Sequence, residues 1–170
     1  PEVNRLVNAF IAGAKEVNPD VKVLVSFIGS FFDPATAKEQ ALAHISAGAD
    51  VLYAERAGVI EAAAEKSVFV FSNMSDQNSI APDWVITGPV WNMTPTIEYI
   101  VAQVEAGTFS PVDLKDFSMM AMGGAYLAEF HGNDSKVPAE VLAAVKAKEE
   151  AIKAGMFRVP IDEAQPEAVN

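Results

Sequence analysis

A chain of 170 residues with 51% hydrophobic content, 10 Gly and 10 Pro is about the length of one α/β domain, not a disordered tail or a coiled coil. The formal charge of −11, from 23 acidic against 12 basic side chains, works against binding of a phosphate backbone. The absence of Cys excludes a disulfide framework, a thiolate nucleophile and thiolate-held zinc, and no apolar stretch approaches the ~18 residues that span a bilayer.

From Val3 through Leu6, Val7, Phe10, Ile11, Ala14 and Val17, apolar side chains fall on one helical face, so the chain opens on a helix over residues 2 to 18. The turn "NPD" ends it. "VKVLVSFIG" follows as a mostly apolar run, as in a strand buried on both faces of a parallel sheet. Asp33 supplies an N-cap oxygen, Pro34 a first-turn φ and Gly48 a stop, bracketing a helix over 34 to 47. Strands are expected at "DVLYAE", "VFVFSN" and "DWVITGPV", with a short helix at "GVIEAAAEK" between the first two. Strands near 22–28, 50–55 and 68–73 are thus expected as parallel neighbours, with helices on both faces. A helix capped by Thr94 and Pro95 carries Ile97, Ile100, Val101 and Val104 and stops at Gly107. "SPVD" at 110 to 113 has the form of a capping box. "DFSMMAM" and "AYLAEF" read as two strands flanking Gly123 and Gly124, and a last helix spans about 138 to 154 with Glu149 and Lys153 at i,i+4. A parallel sheet wound by right-handed crossovers normally begins on a strand, so the opening helix reads as a start in mid-fold.

Two stretches stand where an open parallel sheet takes its ligands, beyond the carboxyl ends of the strands. In "SFFDP", Phe31 and Phe32 either stack on a flat ligand or cap the core beneath the next loop. In "FSNMSDQNSIAP", Asn73, Asp76 and Gln77 either meet hydroxyls and ring nitrogens or form an ordinary solvated turn. His44 and His131 have no ligand-spaced partners and read as structural or surface residues. No phosphate loop, nucleophile elbow or dinucleotide fingerprint occurs, so no catalytic residue, metal ligand or cofactor site is expected.

The run "VNAFIAGAKEVNPDVKVLVSFIGSFFDPATAKEQALAHISAGADVLYA" resembles the basic membrane protein family of ABC-transporter substrate-binding lipoproteins, the purine-nucleoside receptors. The likeness continues through "SDQNSIAPDWVITGPVWNMTPTIEYIVAQVEAGTF", "DFSMMAMGGAYLA" and "VPAEVLAAVKAKEEAIKAGMFRVPIDEAQP". It implies a three-layer α/β/α, type I periplasmic-binding-protein-like fold, of which this chain looks like the C-terminal half of a two-lobed whole. About 1–90 would belong to one lobe, and 91–170 would hold crossover and return segments shared between lobes. The resemblance makes Phe31 the base-stacking side chain, at a position where the family often has Trp, with Phe32 as the neighbouring, buried ring. Asp76 matches an acidic position that meets ribose hydroxyls or polar ligand edges. Met74 departs from the Asp of nucleoside binders, which makes a free base such as adenine an option beside a nucleoside. Trp91, where the chain crosses toward the other lobe, and Glu55 and Arg56, at a strand end whose loop faces the cleft, complete the candidate set.

The resemblance implies a receptor, not an enzyme, that captures a purine nucleoside or nucleobase and hands it to ABC permease subunits. It would sit in the periplasm or at the cell surface, held by a lipid anchor outside this sequence. The alternatives are a cytoplasmic ligand-sensing regulator of the same fold and a small-molecule α/β enzyme. An enzyme needs an activated nucleophile, acid–base pair or metal set at the strand ends, whereas a receptor needs aromatics and hydrogen-bonding groups alone.

Overall fold

The computed structural model describes residues 2–167. Helix α1 (Glu2–Val17) forms as its apolar period requires, and ends where the Asn18 side chain accepts the Asp20 N–H at 3.1 Å. Helix α2 (Pro34–Ser46) starts on Asp33, whose carboxylate accepts the Thr36 N–H (3.1 Å) and hydroxyl (2.8 Å). These donors hold its pKa below the ordinary aspartate value. Strand β1 (Val51–Tyr53), helix α3 (Val59–Lys66) and strand β2 (Phe69–Phe71) then make one βαβ unit. The strands are parallel, with Val51 opposite Phe69, Leu52 opposite Val70 and Tyr53 opposite Phe71.

The period of two along these strands divides the layers. Leu52 and Val70 point to one face, where Ala41 of α2 and Ile60, Ala62 and Ala63 of α3 close the core over them. The small alanines let the helices approach the sheet closely. Tyr53 and Phe71 point to the other face, where Phe10 of α1 stacks on Tyr53, with centroids 4.8 Å apart and planes 6° from parallel, and meets Phe71 edge-on. Helix, sheet and helix therefore lie in three layers, as expected.

Beyond β2, residues 84–87 run alongside it. The Val70 N–H donates to the Trp84 carbonyl (3.0 Å), Ile86 N–H to Val70 (3.0 Å) and Ser72 N–H to Thr87 (2.9 Å), with one parallel bridge from Val70 to Val85. Strand β3 (Pro89–Trp91) pairs antiparallel with β4 (Ala125–Leu127), and helices α4 (Thr94–Glu105) and α5 (Ala139–Lys153) complete the chain. The ion pair of Glu149 with Lys153 forms, at 2.5 Å. No helix of the described residues is long and apolar enough to cross a membrane.

Four expectations need correction. Residues 22–28 are not a strand; with Val51, Leu52 and Tyr53 of β1 they line a cavity. Residues 116–122 are not a strand either. The Ser118 hydroxyl donates to the Lys115 carbonyl and the Met119 N–H to Asp116, winding the run into two 3₁₀ turns, and only 125–127 extends. "SPVD" caps no helix, since Asp113 takes the Lys115 N–H at 2.9 Å and its ammonium at 2.6 Å. The N-cap of α4 is Met93, and the side chain that meets its first N–H groups is Asn92, which accepts from Thr94 at 3.1 Å.

Candidate functional site

The carboxyl ends of β1, β2 and β3 and the loop after residue 28 carry all seven side chains of the candidate set. Six of them fall into three local groups of contacts, and Phe32 into none. At the first, Arg56 places its guanidinium 5.1 Å from the centroid of Phe31, a cation–π contact, and pairs through Nη1 with Glu55 Oε1 at 2.5 Å. Glu55 and Arg56 are mostly covered, while Phe31 is 76% exposed. Burial pushes the Glu55 carboxyl above its ordinary pKa, and the Arg56 charge opposes that rise without cancelling it. Phe32 is 78% exposed, where the resemblance implies a buried ring. The Ser30 hydroxyl accepts the Phe32 N–H at 3.2 Å and turns the chain outward before Asp33 starts α2.

At the second contact the Tyr53 hydroxyl donates to Asn73 Oδ1 at 3.0 Å. Burial first, and the Glu55 charge second, push the Tyr53 phenol up to about 12. Asn73 is 4% exposed. Its N–H donates to Gln77 Oε1 at 3.3 Å, but its side-chain Nδ2 meets no acceptor among the described residues. The next residue, Met74, sits at φ +68°, in the left-handed region that non-glycine residues rarely adopt, and its carbonyl accepts the Trp91 N–H at 2.9 Å. Trp91 and Met74 are both about half exposed.

At the third, Asp76 Oδ2 meets His131 Nε2 at 2.6 Å, and Oδ1 accepts the Asn78 N–H at 3.0 Å. The His131 hydrogen bond is the larger cause that holds the Asp76 carboxyl below its ordinary pKa. His131 itself lies at φ +50°.

Sequence reasoning misses His131, Tyr53 and the pairing of Asn73. His131 has no metal-ligand spacing to mark it, and its partner is one carboxylate 55 residues upstream. The signal for Tyr53 lies in its place at the end of β1, two residues before Glu55.

Rings, carboxylates, amides and a guanidinium supply stacking, donors and acceptors. Among the described residues no three metal-ligating side chains gather. Ser26 Oγ lies 2.8 Å from His44 Nε2, and burial lowers the His44 pKa below its ordinary value.

Comparison with known proteins adds to this geometry. Residues 1–113 match the sequence model of a family described as Bmp, ABC transporter substrate-binding protein PnrA-like. A purine-binding protein of Brucella abortus is 35% identical over 92 residues, which are 53% of this chain and 26% of that protein. The transcriptional activator protein Med of Bacillus subtilis is 29% identical over 134 residues, 65% of this chain and 42% of that one. A solved ABC transporter solute-binding protein of Conexibacter woesei superposes with a TM-score of 0.69 at 25% identity, covering 89% of this chain and 50% of the other. The chain thus spans half or less of the length of these relatives.

Proposed function

Because the chain belongs to the Bmp family of PnrA-like ABC transporter substrate-binding proteins, we propose that it forms the ligand-holding face of a receptor for a purine nucleoside or nucleobase. Phe31 carries the reading: an aromatic ring in the loop before α2, exposed to solvent and backed by the Arg56 guanidinium. A base stacks on the open ring surface. Asp76, kept ionised by its His131 contact, accepts from the ligand's hydroxyl or amino groups, while Met74 and Trp91 supply apolar wall. Because Met74 stands where nucleoside binders carry Asp, a free base such as adenine is taken as readily as its nucleoside. The receptor works at the outer face of the membrane through a lipid anchor, and ABC permease subunits receive the ligand.

Isothermal titration with adenine, adenosine, inosine and guanosine tests this. Phe31→Ala is expected to weaken binding by ~1–3 kcal/mol, roughly 5- to 150-fold. Wild-type affinity in that variant removes the stacking assignment. No turnover of any of the four compounds is expected, and hydrolysis abolished by a strand-end mutation overturns the receptor reading.

The likeness to a transcriptional activator favours a second reading, a ligand-sensing module of a regulator. Both readings keep the same pocket. They separate on the residues preceding Pro1 in the gene, where a lipid-modified Cys means export and a DNA-binding helix pair means regulation.

A further inference from the structure

Three non-glycine residues among those described have positive φ. Ser67 ends α3, but Met74 (φ +68°) and His131 (φ +50°) both stand beside one carboxylate, that of Asp76. Left-handed backbone at such residues is costly, and it persists where surrounding contacts fix it. Around His131 those contacts are present. Asn133, 4% exposed, donates through Nδ2 to the Pro82 and Val85 carbonyls at 2.7 and 2.8 Å, and the Lys136 ammonium donates to the Asp83 carbonyl at 2.7 Å. The turn after β4 is thereby pinned to the segment after β2, with His131 set against Asp76.

That contact decides where the imidazole carries its hydrogen. Hydrogen bonds from His131 first and the Asn78 N–H second lower the Asp76 pKa, so its carboxylate is ionised at neutral pH and only accepts. His131 Nε2, 2.6 Å from Oδ2, is therefore the nitrogen that bears the hydrogen. In the uncharged ring Nδ1 is then a bare acceptor, and it meets no partner among the described residues. The side chain is 38% exposed, which leaves the ring open to a ligand.

We propose that His131 is a specificity-determining residue of the ligand site, whose Nδ1 accepts a hydrogen bond from the exocyclic amino group of an aminopurine and turns away the matching oxopurine. The inference rests on the reading of Asp76 as a ligand contact. Nδ1 is joined to Nε2 through a single carbon, so a ligand edge that reaches Asp76 has Nδ1 as its next polar neighbour. Both Asp76 oxygens already accept, from the Asn78 N–H and from His131, so Nδ1 is the acceptor of the pair that lacks a donor. An amino group supplies one. A keto oxygen in its place sets lone pair against lone pair and gives up hydration that nothing there restores.

Titration calorimetry on the full-length chain, at pH 8 where an ordinary histidine is uncharged, compares adenosine with inosine and adenine with hypoxanthine. The amino member of each pair is expected to bind at least about tenfold more tightly. His131→Gln keeps both a donor and an acceptor and is expected to retain the preference. His131→Lys keeps donors for Asp76 but has no acceptor, and is expected to abolish or reverse it, whereas a merely structural role leaves the ratio as it was. Each variant is judged by a ratio of affinities, which a smaller folded fraction does not change. Nitrogen-15 NMR of the imidazole is expected to show hydrogen on Nε2 and a bare Nδ1 whose resonance moves with adenosine and not with inosine. A ratio near one in the wild type, an unchanged ratio in His131→Lys, equal loss in His131→Gln and His131→Lys, or a hydrogen on Nδ1 in the free protein overturns the inference. In each of those cases the receptor reading stands if Phe31→Ala still weakens both nucleosides. If none of the four compounds binds, the receptor reading fails and this inference falls with it.

Discussion

Arg56 and Glu55 show how the candidate site holds a charge it only half solvates. Glu55 has its folded pKa raised by burial, so the folded state binds a proton more readily than the unfolded chain. Stability contributed at this position is therefore greatest below the unfolded carboxylate range and falls as pH rises through the raised folded value. Relative to wild type, Glu55→Gln is expected to gain thermal stability as pH rises above the ordinary glutamate value of about 4.3, and to hold the difference once the folded carboxyl is ionised. A difference that does not change with pH would show that the carboxyl is solvated. Asp76 behaves oppositely, since its pKa is lowered and its contribution is lost as pH falls through that value. Carbon-detected NMR titration should find the Asp76 carboxyl returning towards the ordinary aspartate value in His131→Ala. An unchanged titration would mean that the 2.6 Å contact does not form in solution. At Tyr53, replacement by Phe strips the buried Asn73 Oδ1 of its hydrogen bond and should cost ~1–3 kcal/mol in chemical denaturation. The same variant should lose the tyrosinate absorbance that appears only near pH 12.

At the scale of elements, the pieces legible in the sequence are those that carry their own boundaries. Asp33–Pro34 before α2, Gly48 and Gly107 at left-handed C-terminal turns, and the apolar stripes of α1 and α4 are local signals, and the helices form where these place them. Strands are less legible because a ladder needs a partner that composition does not name. "VKVLVSFI" has the residues of a buried strand and yet joins neither of the two sheets among the described residues, whereas β3 and β4 find each other across some 35 residues. The strand-end rule picked out the candidate residues, but the contacts of Arg56 with Phe31, Tyr53 with Asn73 and Asp76 with His131 join residues 20 to 55 apart and leave no spacing to read. One glycine sets how closely 84–87 approaches β2. A Cβ at Gly88 would lie 2.3 Å from the Ser72 carbonyl oxygen and 2.2 Å from its hydroxyl. Gly88→Ala should therefore push the segment off β2 and lower stability by ~1–3 kcal/mol, with faster amide exchange at Ser72 and Ile86, whose N–H groups bond across that contact.

For the molecule as a whole, the exposure of the candidate residues sets how much of a binding site these 170 residues present. Pockets for small ligands bury most of the ligand surface, commonly 70–90%. Here Phe31 and Phe32 stand three quarters exposed, with Trp91 and Met74 half exposed, so the proposed contact residues are open to solvent. On the proposed reading, a purine held by these residues would keep much of its surface in water, and hydrogen bonds to Asp76 would compete with solvent at high dielectric. In a two-lobed receptor the opposing wall closes over the ligand and excludes that water. Adenine and adenosine are therefore expected to bind the 170-residue chain at least about 100-fold more weakly than a chain extended to the length of its relatives, a difference of ~2.8 kcal/mol. Phe31→Ala should lose affinity in both. Titration calorimetry on the two lengths, with and without the mutation, separates the contributions. If the shorter chain matches the longer one and still depends on Phe31, one wall suffices and closure adds no affinity. If the longer chain binds tightly and Phe31→Ala leaves it unchanged, the ligand rests on another wall.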